Sequence, residues 1–140
     1  MRISLTRGLI LRPVWLDRIL AGTKTWKIRG TNTAIRGSIG LIASGSGTII
    51  GLVDLIGTEF LTPAAYPAGS TYHAIPCHPD QSLPYSHTWA WPVARPWRFP
   101  TSIPYSHPQG SVRWVRLDLI VDVPRSGLRW FPNLSFPESR

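Results

Sequence analysis

Residues 8–30, GLILRPVWLDRILAGTKTWKIRG, decide the fold because a strand, a helix and a second strand follow one another within them. Pro13 is typical of the first turn of a helix, and Gly22 is typical of the position just after the last turn. The apolar residues between them recur at helical spacing and share one face: Trp15, Leu16, Ile19 and Leu20. We therefore predict a strand over 3–11 and a helix over 13–21.

The end of this stretch, residues 22–30 (GTKTWKIRG), is unusually basic. Three cations lie within six residues, with no acid between them: Lys24, Lys27 and Arg29. Alternation along a predicted strand at 25–29 puts Thr25 and the last two cations on one side. Trp26 and Ile28 then face the core. Because no neighbouring acid neutralises the cations, they either face water or hold an anion.

The rest of the chain indicates further strands, which are apolar and rich in β-branched or aromatic residues: 36–44, 48–57, 88–93 and 111–120. The first two are joined by GSG at 45–47, a pattern that predicts a hairpin. Residues 58–87 are rich in Pro, Ala, Ser, Tyr and His, and we expect an irregular excursion with one short helix near 62–66. The C-terminal tail, 124–140, shows no periodicity.

The composition indicates a basic domain. The chain has 140 residues, enough for one domain with a hydrophobic core, and we expect a single domain over 1–140. Fifteen lysines and arginines face only seven aspartates and glutamates, which gives a net charge of +8. Because most cations then have no acidic partner, the domain should have a positive field that attracts polyanions.

Several classes of protein are disfavoured. The single cysteine, Cys77, excludes an internal disulfide, and the histidines and acids are too scattered for a metal site built by the protein. A Mg²⁺ ion bound through substrate phosphates is compatible with the sequence, which identifies no cofactor and no protein partner. No apolar run approaches the roughly 18 residues of a membrane span. No signal-peptide pattern is present at the N-terminus. We therefore expect no membrane association and a cytoplasmic location.

Three stretches together resemble, in chain order, the ASCH domain family, which shares its fold with PUA domains. They are residues 8–30, the hairpin RGSIGLIASGSGTIIGLVDL (36–55) and IPYSHPQGSVRWVRLDL (103–119). The resemblance covers most of residues 8–120, without the excursion and the tail. It implies an α+β, mainly β fold: a small PUA-like β-barrel of five to six strands with flanking short helices and a basic cleft.

The family's most specific motif is Gly-x-Lys-x-x-Glu-x-Arg after a helix. Here Gly22, Lys24 and Arg29 match it, whereas Lys27 occupies the acidic position. The resemblance implies binding of single-stranded RNA or a nucleotide, with ribonuclease activity as one extension. The alternatives are an amidohydrolase acting on an acetylated cytidine nucleoside, which the lysine at the acidic position disfavours, and a non-catalytic RNA- or protein-interaction module.

The candidate site follows from the motif and from the basic and aromatic residues elsewhere. The expected RNA and phosphate contacts are Lys24, Thr25, Lys27, Arg29, Arg36, Trp97 and Arg98. For RNA cleavage, Lys24 would stabilise charge on the phosphorane, while Tyr105 or His107 would transfer a proton. Structural alternatives stay open: a solvated turn lysine at Lys24, core packing at Trp97 and a hydrogen-bonded loop position at His107.

The site has a geometric consequence. Burying an unpaired cation is costly, so we expect all three cations of 22–30 to be at least partly exposed. We expect Trp26 to be nearly fully buried. Lys24 should line a pocket at the seam between helix and barrel, with Arg36 or Tyr105 within reach across it.

Overall fold

The computed structural model describes residues 1–76 and 83–123, so the tail at 124–140 and its predicted lack of regular structure lie outside the described residues. Within the described ranges there are seven strands and three short helices. Their bounds are β1 (Arg2–Leu11), α1 (Pro13–Leu20), β2 (Trp26–Arg29), β3 (Gly37–Ala43), β4 (Thr48–Leu55), β5 (Glu59–Leu61), α2 (Ala65–Ala68), α3 (Ser70–His73), β6 (Thr88–Pro104) and β7 (Trp114–Asp122). None of the helices in this part of the chain is long and apolar enough to cross a membrane.

The strands form one sheet in the order β2-β6-β4-β3-β1-β7, with β5 paired to β6 outside this path. β1 and β3 run parallel, and the other paired strands run antiparallel. The long β6 pairs with β2 and β5 through its first residues and with β4 through the remainder. Register shifts against β4 and a left-handed residue, Arg95 (φ 55°), interrupt this strand. The fold is thus mainly β and barrel-like, as predicted, although the sheet does not close.

The centre of the sheet is buried on both faces. Leu41 and Ile42 are adjacent on β3 and point to opposite sides, yet neither exposes more than 1% of its surface. Ile42 belongs to a first apolar cluster with Leu5 and Leu52, and Leu41 belongs to a second cluster with Trp91. Helix α1 packs against the second cluster, so the segment after α1 begins at the margin of this core.

The predicted start and end of α1 are confirmed. Pro13 is its first residue, and Gly22 adopts φ 83°, a left-handed conformation that glycine reaches without a Cβ clash. The amide of Gly22 bonds to the carbonyl of Ile19 at 3.0 Å, and the amide of Lys24 bonds to the carbonyl of Arg18 at 3.1 Å. This tight turn carries the chain directly from the helix to β2.

The hairpin of β3 and β4 is confirmed, but two other regions differ from expectation. β6 continues to residue 104 instead of ending near 93. Its prolines, at 92, 96, 100 and 104, disrupt the sequence pattern of a strand, because proline lacks the amide that a ladder needs. The excursion at 58–87 is also more regular than predicted, since β5, α2 and α3 lie within it.

Close contact between β4 and β6 makes Gly51 sensitive to substitution. A Cβ atom at this position would lie 2.4 Å from the carbonyl oxygen of Trp97 and 3.1 Å from Cα of Arg98. We expect Gly51→Ala to lower the free energy of unfolding by about 1–3 kcal/mol, because backbone atoms cannot move aside as a flexible side chain can. Urea denaturation tests this. The control, Gly57→Ala, adds a Cβ with no atom within 4 Å, and an equal effect of both variants would contradict the prediction.

Candidate functional site

Lys24 emerges at the seam between α1 and the sheet, as predicted, but it is not exposed. Only 1% of its surface is accessible. Its Nζ donates a hydrogen bond of 2.5 Å to the carbonyl oxygen of His73 and lies 5.1 Å from the centre of the Trp15 ring. The prediction that Lys24 is at least partly exposed is therefore wrong. Residues of the excursion cover it, and a carbonyl and an aromatic face take the place of water.

The burial of Lys24 alters its acidity. Loss of hydration, together with repulsion from Lys27 and Arg18, lowers the pKa of its amine from 10.5 to about 7. A lysine with this pKa exists in both charged and neutral forms near neutral pH. It can therefore donate hydrogen bonds in either form, and in the neutral form it can also accept a proton.

His73 holds the carbonyl that receives the Lys24 hydrogen bond. Its ring is fully buried and stacks on Tyr66 at 4.5 Å. The amide of Ile75 donates to Nδ1 at 3.0 Å, so Nε2 carries the hydrogen and donates to the carbonyl of Tyr66 at 2.8 Å. Burial lowers the pKa of this histidine, which favours the same neutral form. A second hydrogen bond joins this part of the excursion to α1, because the guanidinium of Arg18 donates to the carbonyl oxygen of Ala74 at 2.9 Å.

Two adjoining cavities lie at this seam, and Lys24 lines the smaller one. The outer chamber, about 460 Å³, is lined by Ile10, Leu11, Arg12, Trp15, Lys27, Arg29, Ser44, Tyr85 and Val112. The inner chamber, about 220 Å³, is lined by Trp15, Lys24, Lys27, Ile28, Tyr66, Ile75, Pro84 and Tyr85. Trp15, Lys27 and Tyr85 line both chambers. The outer chamber thus has three basic side chains. The inner chamber is mainly aromatic and aliphatic, and the amines of Lys24 and Lys27 also line it.

The two half-buried cations of the outer chamber, Lys27 and Arg29, have no acidic partner among residues 1–76 and 83–123. Burial and repulsion from Arg29 and Arg12 lower the pKa of Lys27 to about 8. Burial, and then Arg113, also lowers the pKa of Arg29. An anion in this chamber would relieve the repulsion among these groups.

The guanidinium of Arg29 has N–H donors that the described residues leave unused. It donates one long hydrogen bond of 3.4 Å to the carbonyl of Ile10 and lies 5.8 Å from the centre of the Trp91 ring. Its buried Nε has no hydrogen-bond partner among residues 1–76 and 83–123. Since a buried donor without a partner is costly, an acceptor on a bound ligand would stabilise this guanidinium.

Three sequence-predicted residues near the motif occupy other positions. Arg36 is exposed and donates to the carbonyls of Thr33 and Ile35, and it lines neither chamber. Thr25 is half-buried, and it also lines neither chamber. Trp26 is half-buried instead of nearly fully buried, because it lies near the surface, where it stacks on the exposed Tyr72 at 4.8 Å.

Trp97 and Arg98 belong to a different part of the surface. Trp97 is half-buried and packs against the first apolar cluster, which agrees with the structural alternative of core packing. Arg98 is exposed and forms an ion pair of 2.9 Å with Asp17. Neither residue lines the two chambers, so these two predicted RNA contacts lie outside the candidate site.

Tyr105 and His107 contact each other instead of Lys24. The Tyr105 hydroxyl lies 2.8 Å from His107 Nδ1, and His107 Nε2 lies 2.8 Å from the carbonyl of Ser111. Neither residue lines the inner chamber. Arg36 does not line it either, so the expectation that Arg36 or Tyr105 lies across the pocket from Lys24 is wrong. The physical reason is that Tyr105 follows the far end of β6, next to the β3–β4 hairpin.

Sequence reasoning missed several residues of the site: Arg12, Trp15, Tyr66, His73 and Tyr85. Arg12 and Trp15 flank the predicted helix start, a signal that could have placed them near the motif. The other three come from the excursion, whose path no local pattern indicates. Tyr85 lies against Gly30, where a Cβ would come within 2.9 Å of its ring. Across residues 1–76 and 83–123, no three His, Cys, Asp or Glu side chains cluster as a metal site would require.

Comparison with known proteins identifies the fold. No family model and no curated protein matches the chain. Solved structures of ASCH from Zymomonas mobilis do match. The first has a TM-score of 0.58 at 14% identity, over 91% of this chain and 94% of that chain. A serine-to-alanine variant of ZmASCH from that organism gives 0.61 at 14% identity over 91% and 94%, and a tyrosine-to-phenylalanine variant gives 0.55 at 13% over 91% and 96%. The chain therefore has the ASCH fold that the sequence resemblance implied.

Proposed function

We propose that this protein binds single-stranded RNA or a nucleotide, with a phosphate group in the outer chamber and a base in the inner chamber. The observation on which this rests is the pair of half-buried cations, Lys27 and Arg29, that line a cavity without an acidic partner in the described part of the chain. A guanidinium can donate two parallel hydrogen bonds to phosphate oxygens, and an ammonium adds a compact charge.

The inner chamber suits a base more than a second phosphate. Trp15 and Tyr85 stand at its junction with the outer chamber, where an aromatic face can stack on a planar ring. The Lys24 amine provides a hydrogen-bond donor for a carbonyl of that ring. The outer volume of about 460 Å³ is typical of small-molecule sites. The ASCH fold and the net charge of +8 are consistent with an RNA ligand.

One observation favours the hydrolase alternatives. The pKa of Lys24, about 7, suits a group that exchanges protons at neutral pH. However, neither chamber is lined by a histidine or a carboxylate in the portions that the structure describes. We therefore give binding priority over ribonuclease or amidohydrolase activity.

Titration of labelled single-stranded RNA at several salt concentrations tests the proposal. Binding should weaken as salt rises, with log K against log salt sloping by about −0.7 for each phosphate neutralised. A nucleoside monophosphate should compete better than the matching nucleoside or ribose phosphate, because only the nucleotide fills both chambers. Binding that is absent at low salt, or equal competition by all three compounds, would contradict it. Gel analysis of the same mixtures shows whether the RNA stays intact.

A further inference from the structure

A second pair of cations lies on the strands β1 and β7. Arg7 and Arg116 stand directly opposite each other in the antiparallel register, and both are exposed. They line a cavity of about 460 Å³ together with Thr6, Leu117 and Asp118. Like charges at directly opposite positions destabilise a sheet. Neither arginine forms an ion pair within the described ranges, although Asp118 lines the same cavity.

The two arginines lie on the face of the sheet that carries the second apolar cluster, the cluster that contains Leu9 and Trp91. Alternation puts Arg7 on the side of Leu9 and puts Arg116 on the side of Trp114. Trp114 stacks on Trp91 at 5.9 Å, and the Arg29 guanidinium lies over Trp91. A continuous series of side-chain contacts therefore leads from the outer chamber to Trp114, two residues from Arg116.

The separation of the two cavities suits one extended ligand. Leu11 of the outer chamber follows Arg7 by four residues within β1, which corresponds to about 13 Å along an extended strand. A single nucleotide is too short to contact both positions, whereas a strand of a few nucleotides has several phosphates along its length.

We propose that Arg7 and Arg116 bind a second phosphate of the RNA strand whose terminal or looped-out nucleotide occupies the two chambers. Two guanidinium groups facing one cavity match the oxygens of a phosphodiester, and the bound anion removes the repulsion between them. This inference rests on the proposed function and extends it from a nucleotide to an oligonucleotide. It assigns a function to a cavity that the nucleotide alone leaves empty.

The test compares a nucleoside monophosphate with a short single-stranded RNA on the parent protein and on the double variant Arg7→Gln/Arg116→Gln. The double variant should bind the oligonucleotide about tenfold more weakly, with a salt slope smaller by about 0.7, while its affinity for the monophosphate is unchanged. Arg2→Gln is the matched control, since Arg2 is also exposed on β1 but faces Asp122 in the register. It should leave both affinities unchanged.

Asp118→Asn gives a test in the opposite direction, because removing a negative charge from this cavity should strengthen oligonucleotide binding. An unchanged oligonucleotide affinity in the double variant, or an equal loss for both ligands, would overturn the second site. If the parent binds neither ligand, the proposed function itself has failed. Thermal unfolding checks that the double variant folds, and loss of a like-charge pair should leave its stability equal or higher.

Discussion

Replacing Lys27 and Arg29 together by glutamine is expected to weaken the binding of single-stranded RNA by about a hundredfold or more. Hydrogen bonds to charged groups contribute about 1.5–3 kcal/mol each, and about 1.4 kcal/mol corresponds to a factor of ten. The two side chains are half-buried in the outer chamber, where solvent screens a bound phosphate less than at an open surface. Fluorescence titration at low and moderate salt measures the loss, which should be greatest at low salt.

Single substitutions at Arg36 and Arg2 serve as matched controls, because each removes one positive charge from an exposed side chain outside both chambers. Arg36→Gln is the sharper control, since the sequence placed Arg36 in the cleft and the structure bonds it to the carbonyls of Thr33 and Ile35. Both controls should change affinity by less than about threefold. If Arg36→Gln weakens binding as much as the double variant, the outer chamber is not the site.

The sequence predicted those parts of the fold that local signals determine. Pro13 and Gly22 enclose α1, and two glycines with positive φ, Gly45 and Gly47, form the turn of the β3–β4 hairpin. These signals act within a few residues, and the motif of residues 22–30 is equally local. For this reason the position of Lys24 at the seam between helix and sheet was predicted correctly.

The surroundings of Lys24 could not be predicted in the same way, because its hydrogen-bond partner is 49 residues away in the chain. The excursion that supplies this partner has little periodicity in its sequence, and its helices α2 and α3 have only four residues each. The burial of a cation therefore depended on a long-range contact. The same limit applies to Tyr105, whose position follows from the length and interruptions of β6.

The structure shows where Lys27 lies, the residue at the acidic position of the ASCH motif that residues 22–30 resemble. Lys27 lines both chambers. After burial, repulsion from Lys27 is the next cause that lowers the pKa of Lys24. A carboxylate at this position would neutralise part of the positive field in the outer chamber. The observed lysine instead increases the attraction for an anion, which is consistent with binding phosphate.

Lys24→Met is expected to flatten the pH dependence of stability between pH 7 and 10 more than removal of Lys27 does. The pKa of Lys24 is about 7 in the folded protein and near 10.5 in an unfolded chain. In this interval the unfolded state binds more protons than the folded state, so the free energy of unfolding of the parent should rise with pH. For Lys24 the rise amounts to roughly 4 kcal/mol across the interval, and it stops once the unfolded lysine also loses its proton.

Methionine keeps the length and the apolar stem that pack near Trp15 but cannot be charged. It leaves the carbonyl of His73 without its donor, at a cost of about 1–3 kcal/mol that does not vary with pH. Urea denaturation at several pH values should therefore give a much flatter curve for Lys24→Met than for the parent. Lys27→Met is the comparison: the pKa of Lys27 is lowered less, to about 8, so this variant should keep a larger part of the rise than Lys24→Met does. If Lys24→Met follows the parent curve, then Lys24 is not the group whose burial makes the folded state sensitive to pH, and its neutral form has no place in the chemistry of the inner chamber.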